Sequence, residues 1–146
     1  MEKRFGQKGF SLIELLLVVV IVGIIAALAI PALQKAIRSA ENNTTFATLR
    51  TISSTQIAFY SQKNRFGRLP EIQAMIGNGI GVTTGDTVVR GRYVFEMTPT
   101  NPTDAELANE YIITATKNIA GDIVYKYELT QSGKITQILP AGGVEP

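Results

Sequence analysis

The chain has 146 residues, which is enough for one domain with an appendage but short for two full domains. It contains no cysteine and no histidine, which excludes thiol nucleophiles, thiolate metal ligands, disulfides and imidazole bases. The formal net charge is +2, and the first nine residues contribute all of it. A neutral remainder does not favour general nucleic-acid binding. Without a recognisable catalytic motif, the chain is not expected to be an enzyme, and no cofactor is predicted.

A short basic leader precedes a long apolar segment. The leader carries Lys3, Arg4 and Lys8 against Glu2. A secretory signal peptide ends in small residues after its apolar core, whereas here Gly9 lies before the core. Cleavage between Gly9 and Phe10 would remove the basic residues, keep the apolar segment and create a free amino group. We therefore predict that residues 1–9 are a cleaved leader.

Glu14 is the one acidic residue between Phe10 and Ala40, and no charged residue occurs from Leu15 to Leu33. A carboxylate within lipid costs several kcal/mol unless it has a partner. The following turns of the helix offer no cation, so the Phe10 amino group of a neighbouring copy is the natural counter-ion. The alternative interpretation is that Glu14 lies at the membrane edge and stays solvated.

The segment Lys8-Gly9-Phe10-Ser11-Leu12-Ile13-Glu14-Leu15-Leu16, followed by an aliphatic run and Pro31, resembles the class III signal of type IV pilins and pseudopilins. The resemblance covers roughly the first third of the chain. It implies that a prepilin peptidase cuts between Gly9 and Phe10 and methylates the new amine of Phe10. It also implies that Glu14 is the carboxylate that sets register during assembly on an inner-membrane platform.

Residues 10–62 are predicted to form one helix, roughly 80 Å long at ~1.5 Å per residue. Residues 10–33 are long and apolar enough to cross a membrane. Pro31 removes a backbone donor and Gly23 is a weak helix former, so we expect the helix to loosen between them in a filament. Farther along, the helix is amphipathic. Its predicted apolar stripe comprises Phe46, Leu49, Ile52, Gln56 and Phe59, and its predicted polar face comprises Thr48, Thr51, Ser54, Thr55 and Gln62.

Residues 63–146 are predicted to form a globular head. Glycines and Pro70 indicate a loop over residues 64–86, with a short helix at 70–76. Beyond Asp86, apolar and polar residues alternate over 93–98, 111–116, 123–130 and 135–139. The predicted fold is α+β: a three- or four-stranded antiparallel sheet packed on the second half of a long helical spine.

Two charged groups in the head are weak candidates for binding sites. Three carboxylates could offer oxygen ligands to calcium, namely Asp104, Glu106 and Glu110, but their spacing matches no ordered loop motif. Three basic residues could contact DNA or acidic lipid, namely Lys63, Arg65 and Arg68, but no wider basic face accompanies them. A solvated loop is the simpler interpretation of both groups.

These features predict a structural subunit that polymerises into a homo-oligomeric type IV pilus filament, used for adhesion, motility or DNA uptake. Before assembly it would be a single-pass protein of the inner membrane, in contact with lipid; afterwards it would belong to an extracellular filament. One alternative is a pseudopilin of a type II secretion system, which forms a periplasmic pseudopilus. Another is a membrane-anchored binding module that never polymerises.

Overall fold

The computed structural model describes residues 9–119 and 122–141; the predicted leader, apart from Gly9, lies outside them. The chain divides into two compact units, Met1–Ala40 and Glu41–Pro146. The helices are α1 (Leu12–Lys63), α2 (Leu69–Met75) and α3 (Asp104–Leu107). The strands are β1 (Val82–Thr84), β2 (Thr87–Arg90), β3 (Tyr93–Met97), β4 (Ile112–Ile119), β5 (Asp122–Thr130) and β6 (Ile135–Leu139).

The ends of α1 follow from local sequence. Ser11 precedes the first helical residue, and its backbone N–H donates to Glu14 Oε2 over 2.9 Å, which is one half of a capping box. At the other end Asn64 adopts a positive φ of 55°, and its N–H donates to the carbonyl of Tyr60 over 2.9 Å. A left-handed residue of this kind terminates helices, and asparagine tolerates that conformation.

The sheet is an antiparallel meander in which each strand pairs with the next along the chain, from β1 to β6. The described residues contain six strands, so the expectation of three or four was wrong. The missed strands are β1 and β2, which lie in or beside the glycine-rich stretch that we assigned to a loop. All three residues of β1 are exposed, so its sequence carries no alternating pattern that could reveal it.

The core of the second unit lies between the sheet and α1 from Glu41 onward. Leu49, Ile52 and Phe59 of α1 are buried in one cluster with the inward residues of the strands. The ring centroids of Phe46 and Tyr127 lie 4.8 Å apart in an edge-on arrangement. The α+β fold and the packing of a sheet on the second half of the spine are confirmed.

One detail of the predicted helix faces was wrong. Thr48 and Thr55, expected on the polar face, are buried. Their hydroxyls donate to the carbonyls of Thr44 and Thr51, each over 2.8 Å. A threonine whose hydroxyl is satisfied by its own helix leaves only a methyl group to pack, so it can lie in a core.

Candidate functional site

The first part of α1 presents its apolar side chains to the surroundings. Among the described residues, α1 is the helix that is long and apolar enough to cross a membrane, and its apolar window has no buried residue. Exposed side chains include Phe10 at 82% and Leu28 at 73%. An apolar surface of this size is unfavourable in water, so it requires lipid or another apolar surface.

Gly9 and Phe10 lie just before α1, in backbone that belongs to no helix or strand. A Cβ atom added to Gly9 would meet no heavy atom within 4 Å. Both residues are exposed in the described part of the chain. Cleavage there stays a prediction, as does methylation of Phe10.

Glu14 is exposed in the first turn of α1. Its Oε2 atom accepts the Ser11 N–H, and the helix N-terminus places positive dipole ends beside the carboxylate. Among the described residues no basic side chain forms an ion pair with Glu14. The carboxylate thus has a local hydrogen bond and no charged partner within that part of the chain.

The helix is continuous through Gly23 and Pro31, since α1 runs unbroken from Leu12 to Lys63 with Pro31 inside it. Gly23 has open space around it, because a Cβ atom added there would also meet no heavy atom within 4 Å. The predicted loosening between these residues concerns the assembled filament, in which neighbouring subunits would pack against this segment. It therefore stays a prediction.

Two of the three carboxylates considered for calcium are engaged with other groups. Asp104 Oδ1 lies 2.7 Å from Arg68 Nη2. Glu106 accepts the Thr103 N–H over 2.7 Å and caps α3, and this hydrogen bond holds the pKa of Glu106 below its ordinary value. Glu110 is exposed. Within residues 9–119 and 122–141, no three His, Cys, Asp or Glu side chains are grouped so that they could hold a metal ion.

The basic group is also largely neutralised. Arg65 donates to both carboxylate oxygens of Glu71, over 2.9 and 2.7 Å, and this bidentate bond holds the pKa of Glu71 below its ordinary value. Arg68 pairs with Asp104 and donates to the carbonyl of Pro102 over 3.0 Å. Lys63 is exposed. These contacts fasten α2 and the loop before α3 to each other, and they leave no cluster of free cations among the described residues of this face.

Sequence reasoning missed Lys117, which is fully buried on the inward face of β4. The predicted strand over residues 111–116 ends one position before it, because a lysine is rarely buried. The sequence did contain a signal for its position. Ile113, Ala115 and Lys117 are two residues apart, so they lie on the same face of the strand. The carboxylate that meets Lys117 is Glu41 of α1.

Comparisons with known proteins identify one motif and several relatives. Residues 4–30 match a family model described as the prokaryotic N-terminal methylation motif. Over 91 residues the chain is 34% identical to the type IV major pilin protein PilA of Myxococcus xanthus, covering 58% of this chain and 41% of that protein.

Two further relatives extend the similarity. The type IV major pilin protein PilE1 of Neisseria gonorrhoeae is 32% identical over 115 residues, which cover 79% of this chain and 55% of the relative. The type IV major alpha-pilin of Moraxella bovis is 33% identical over 88 residues, which cover 60% of this chain and 54% of the relative. The chain thus spans about half the length of the curated relatives it matches.

Proposed function

Because this chain belongs to the type IV pilin family, we propose that it is a subunit that polymerises into a type IV pilus filament. The observation that carries the proposal is the exposed apolar part of α1, most of which lies within the methylation motif matched over residues 4–30. A surface of that kind is stable in lipid before assembly. It is stable among copies of itself afterwards.

Processing comes first in this proposal. A prepilin peptidase removes residues 1–9 and methylates the new amino group of Phe10. The cut converts a neutral backbone amide into an ammonium group about one helical turn from Glu14. It also removes the charges that hold the leader on the cytoplasmic side of the membrane, since basic residues favour that side. The exposure of Gly9 and Phe10 supports a cut at this position.

Assembly then replaces lipid contacts by helix contacts. Copies of residues 10–33 leave the bilayer and pack against one another, with Ala26, Ala27 and Ala29 allowing close approach. A head-to-tail contact that repeats without closing produces an open helical filament. An inner-membrane platform supplies the subunits.

Glu14 sets the axial register in this scheme. Its carboxylate pairs with the Phe10 ammonium of a neighbouring copy when the stagger is correct. In a wrong stagger the carboxylate is buried without that partner, and an unpaired buried charge costs about 3–5 kcal/mol. The pair therefore selects one arrangement among many that bury similar apolar area.

Pilus and pseudopilus subunits share the N-terminal motif, so features of the globular head must distinguish the two classes of subunit. A calcium loop would favour a secretion pseudopilin, and the candidates Asp104 and Glu106 are engaged with Arg68 and Thr103. This arrangement supports the surface pilus over the pseudopilus. Adhesion, motility and DNA uptake are the uses open to such a filament.

Electron microscopy of material sheared from cells tests the proposal. A parent strain, a strain lacking the gene and a complemented strain are compared, and peptides of this chain are sought in the washed filaments. We expect filaments that contain the chain, that disappear with the gene and that return on complementation. Unchanged filaments in the deletion strain, or a chain confined to the membrane fraction, would contradict it and favour a non-polymerising module.

A further inference from the structure

Lys117 occupies a position in the sheet where an apolar residue is the rule. It pairs with Tyr93 of β3 and with Tyr125 of β5, so three side chains of one inward row adjoin. The lysine is 0% exposed. An ammonium group removed from water in this way is strongly unfavourable unless nearby groups compensate it.

Two kinds of group compensate the Lys117 charge. Its Nζ lies 2.5 Å from Glu41 Oε2, across 76 residues of sequence. Nζ also lies 5.8 Å from the ring centroid of Tyr93 and 5.4 Å from that of Tyr125. Aromatic faces attract a cation but do not neutralise it. Among the described residues, Glu41 supplies the one carboxylate that pairs with Lys117.

Glu41 is less dependent on the pair than Lys117 is. Its other oxygen, Oε1, accepts from Arg92 Nε over 2.9 Å and lies 2.8 Å from Arg92 Nη2. The Glu41 side chain is also 27% exposed, so water reaches it. Loss of Lys117 would leave Glu41 with a guanidinium partner. Loss of the Glu41 charge would leave Lys117 buried and unpaired.

We propose that Glu41 and Lys117 form a clasp that fastens β4 to α1 and that acid releases. The clasp holds the central strand at one position along the helix, since a shifted strand would bury the ammonium away from its carboxylate. Its role is specificity of packing more than net stability, because a buried ion pair is seldom better than an apolar pair. The inference does not depend on filament assembly.

Glu41 is the acid-sensitive member of this cluster. Besides Lys117, the groups that interact with Glu41 are Arg92 of the β2–β3 turn and Tyr93 of β3, and Tyr93 in turn adjoins Tyr125 and Tyr127 of β5. Burial raises the pKa of Tyr93, and its hydroxyl lies 2.6 Å from Asn42 Oδ1, so this phenol stays neutral. Lysine, arginine and tyrosine do not change charge between about pH 3 and 7, whereas a carboxyl does.

The direction of the acid effect follows from Glu41. Burial alone would raise the pKa of its carboxyl, but the hydrogen bonds and the positive charges of Lys117 and Arg92 together outweigh burial and hold the pKa below the ordinary value. The unfolded chain therefore binds a proton at higher pH than the folded chain. The contribution of the clasp is complete at neutral pH and is lost as the pH falls below about 4.

Thermal unfolding of the full chain in detergent micelles tests the clasp. Near-UV circular dichroism reports on the cluster, because the chain has no tryptophan and three of its five tyrosines, Tyr93, Tyr125 and Tyr127, belong to it. The proteins compared are the unaltered chain, the single variants Glu41→Gln and Lys117→Met, and the variant that carries both substitutions. Glu110→Gln is the matched control, since it removes an exposed carboxylate from the same unit.

At pH 7 we expect Glu41→Gln to lower the unfolding midpoint by about 10 °C or more, and Lys117→Met to lower it by less. The double variant should unfold at a higher temperature than Glu41→Gln alone. Between about pH 5 and 3 the midpoint should fall more steeply in the unaltered chain and in Glu110→Gln than in Glu41→Gln.

Three results would overturn the clasp. One is a Lys117→Met variant as unstable as Glu41→Gln. Another is a double variant no more stable than Glu41→Gln, and the third is an equal pH dependence in the presence and absence of the Glu41 carboxyl. If Glu41→Gln yields no folded protein, the double variant decides: a folded double variant supports the clasp and an unfolded one refutes it.

Discussion

The proposed role of the apolar part of α1 depends on one carboxylate, that of Glu14. In the separate chain, Glu14 accepts the Ser11 N–H and closes the first turn of the helix. That hydrogen bond gives the carboxylate a local partner before the proposed assembly. An ammonium group is a stronger partner for the carboxylate than an amide, because its full positive charge adds Coulomb attraction to the hydrogen bond. Exchange of one partner for the other would favour assembly only in the correct register.

Mixed expression tests Glu14 at the scale of one residue. We expect Glu14→Gln to insert in the membrane normally but to be about tenfold under-represented in filaments formed alongside the unaltered chain, which corresponds to about 1.4 kcal/mol. Quantitative mass spectrometry of filament and membrane fractions measures the ratio. Lys35→Gln is the matched control, because it also removes one exposed charge from α1 and should enter filaments normally. Equal incorporation of Glu14→Gln at equal membrane abundance would show that Glu14 does not set register.

In the head, the segment from Phe66 to Gly81 is held by two buried glutamines: Gln56 links it to α1, and Gln73 links α2 to the end of the same segment. Gln56 of α1 donates to the carbonyl of Gly67 over 2.8 Å and accepts the Gly67 N–H over 2.7 Å. Gln73 of α2 accepts the Ile80 N–H over 3.1 Å and donates to the carbonyl of Gly81. Each glutamine amide both donates to and accepts from backbone groups, as a neighbouring strand would. A segment with little regular structure therefore gains fixed contacts.

Removal of one such amide should be costly. Gln56→Ala leaves a buried N–H and a buried carbonyl without partners, and we expect a loss of about 2–4 kcal/mol in the free energy of unfolding. Chemical denaturation of the full chain in micelles measures it. Gln62→Ala, an exposed glutamine of the same helix, should change stability by less than about 0.5 kcal/mol. A Gln56→Ala variant as stable as Gln62→Ala would refute this role.

The helix α1 is the element whose conformation we expect to depend on assembly. Pro31 cannot donate to the carbonyl of Ala27, and Gly23 costs about 1 kcal/mol relative to alanine. In a filament, the globular heads and the apolar segments (residues 10–33) must both pack against neighbouring subunits. Extension of the chain between Gly23 and Pro31 would allow both contacts. We expect a filament map to show a loosened chain between Gly23 and Pro31, and a Pro31→Ala filament to be more helical there. A straight, unbroken helix over residues 26–32 of the unaltered filament would contradict this expectation.

At the scale of the whole molecule, sequence patterns predicted the helices and strands whose apolar residues recur at regular spacing. They missed buried residues whose burial depends on a partner elsewhere in the fold. The apolar run of α1 and the alternation in β3, β5 and β6 are local signals, and the elements lie where those signals placed them. The burial of Thr48 and of Lys117 depends on a carbonyl one turn away and on a carboxylate 76 residues away. No local pattern in the sequence contains Glu41 and Lys117 together, so their pairing emerged only from the fold.

The start of the chain was predictable for a different reason. Gly9, Phe10 and Glu14 form a compact motif in which chemistry depends on sequence neighbours, so the candidate site could be identified before the fold. The strands β1 and β2 could not, because glycines and exposed threonines favour a loop on local grounds. Pairing of β2 with β3, and of β1 with β2, holds these strands in the sheet, and that pairing is set by tertiary structure.

The most direct test of the central claim is the intact mass of the subunit extracted from washed filaments. If this chain, shortened to Phe10, is the repeating unit, the dominant species will have the mass of residues 10–146 with one added methyl group. A Gly9→Leu chain, in which the junction carries a bulky side chain, should remain unprocessed and absent from the filaments. Filaments whose subunit keeps residues 1–9, or filaments built from another protein, would contradict the account.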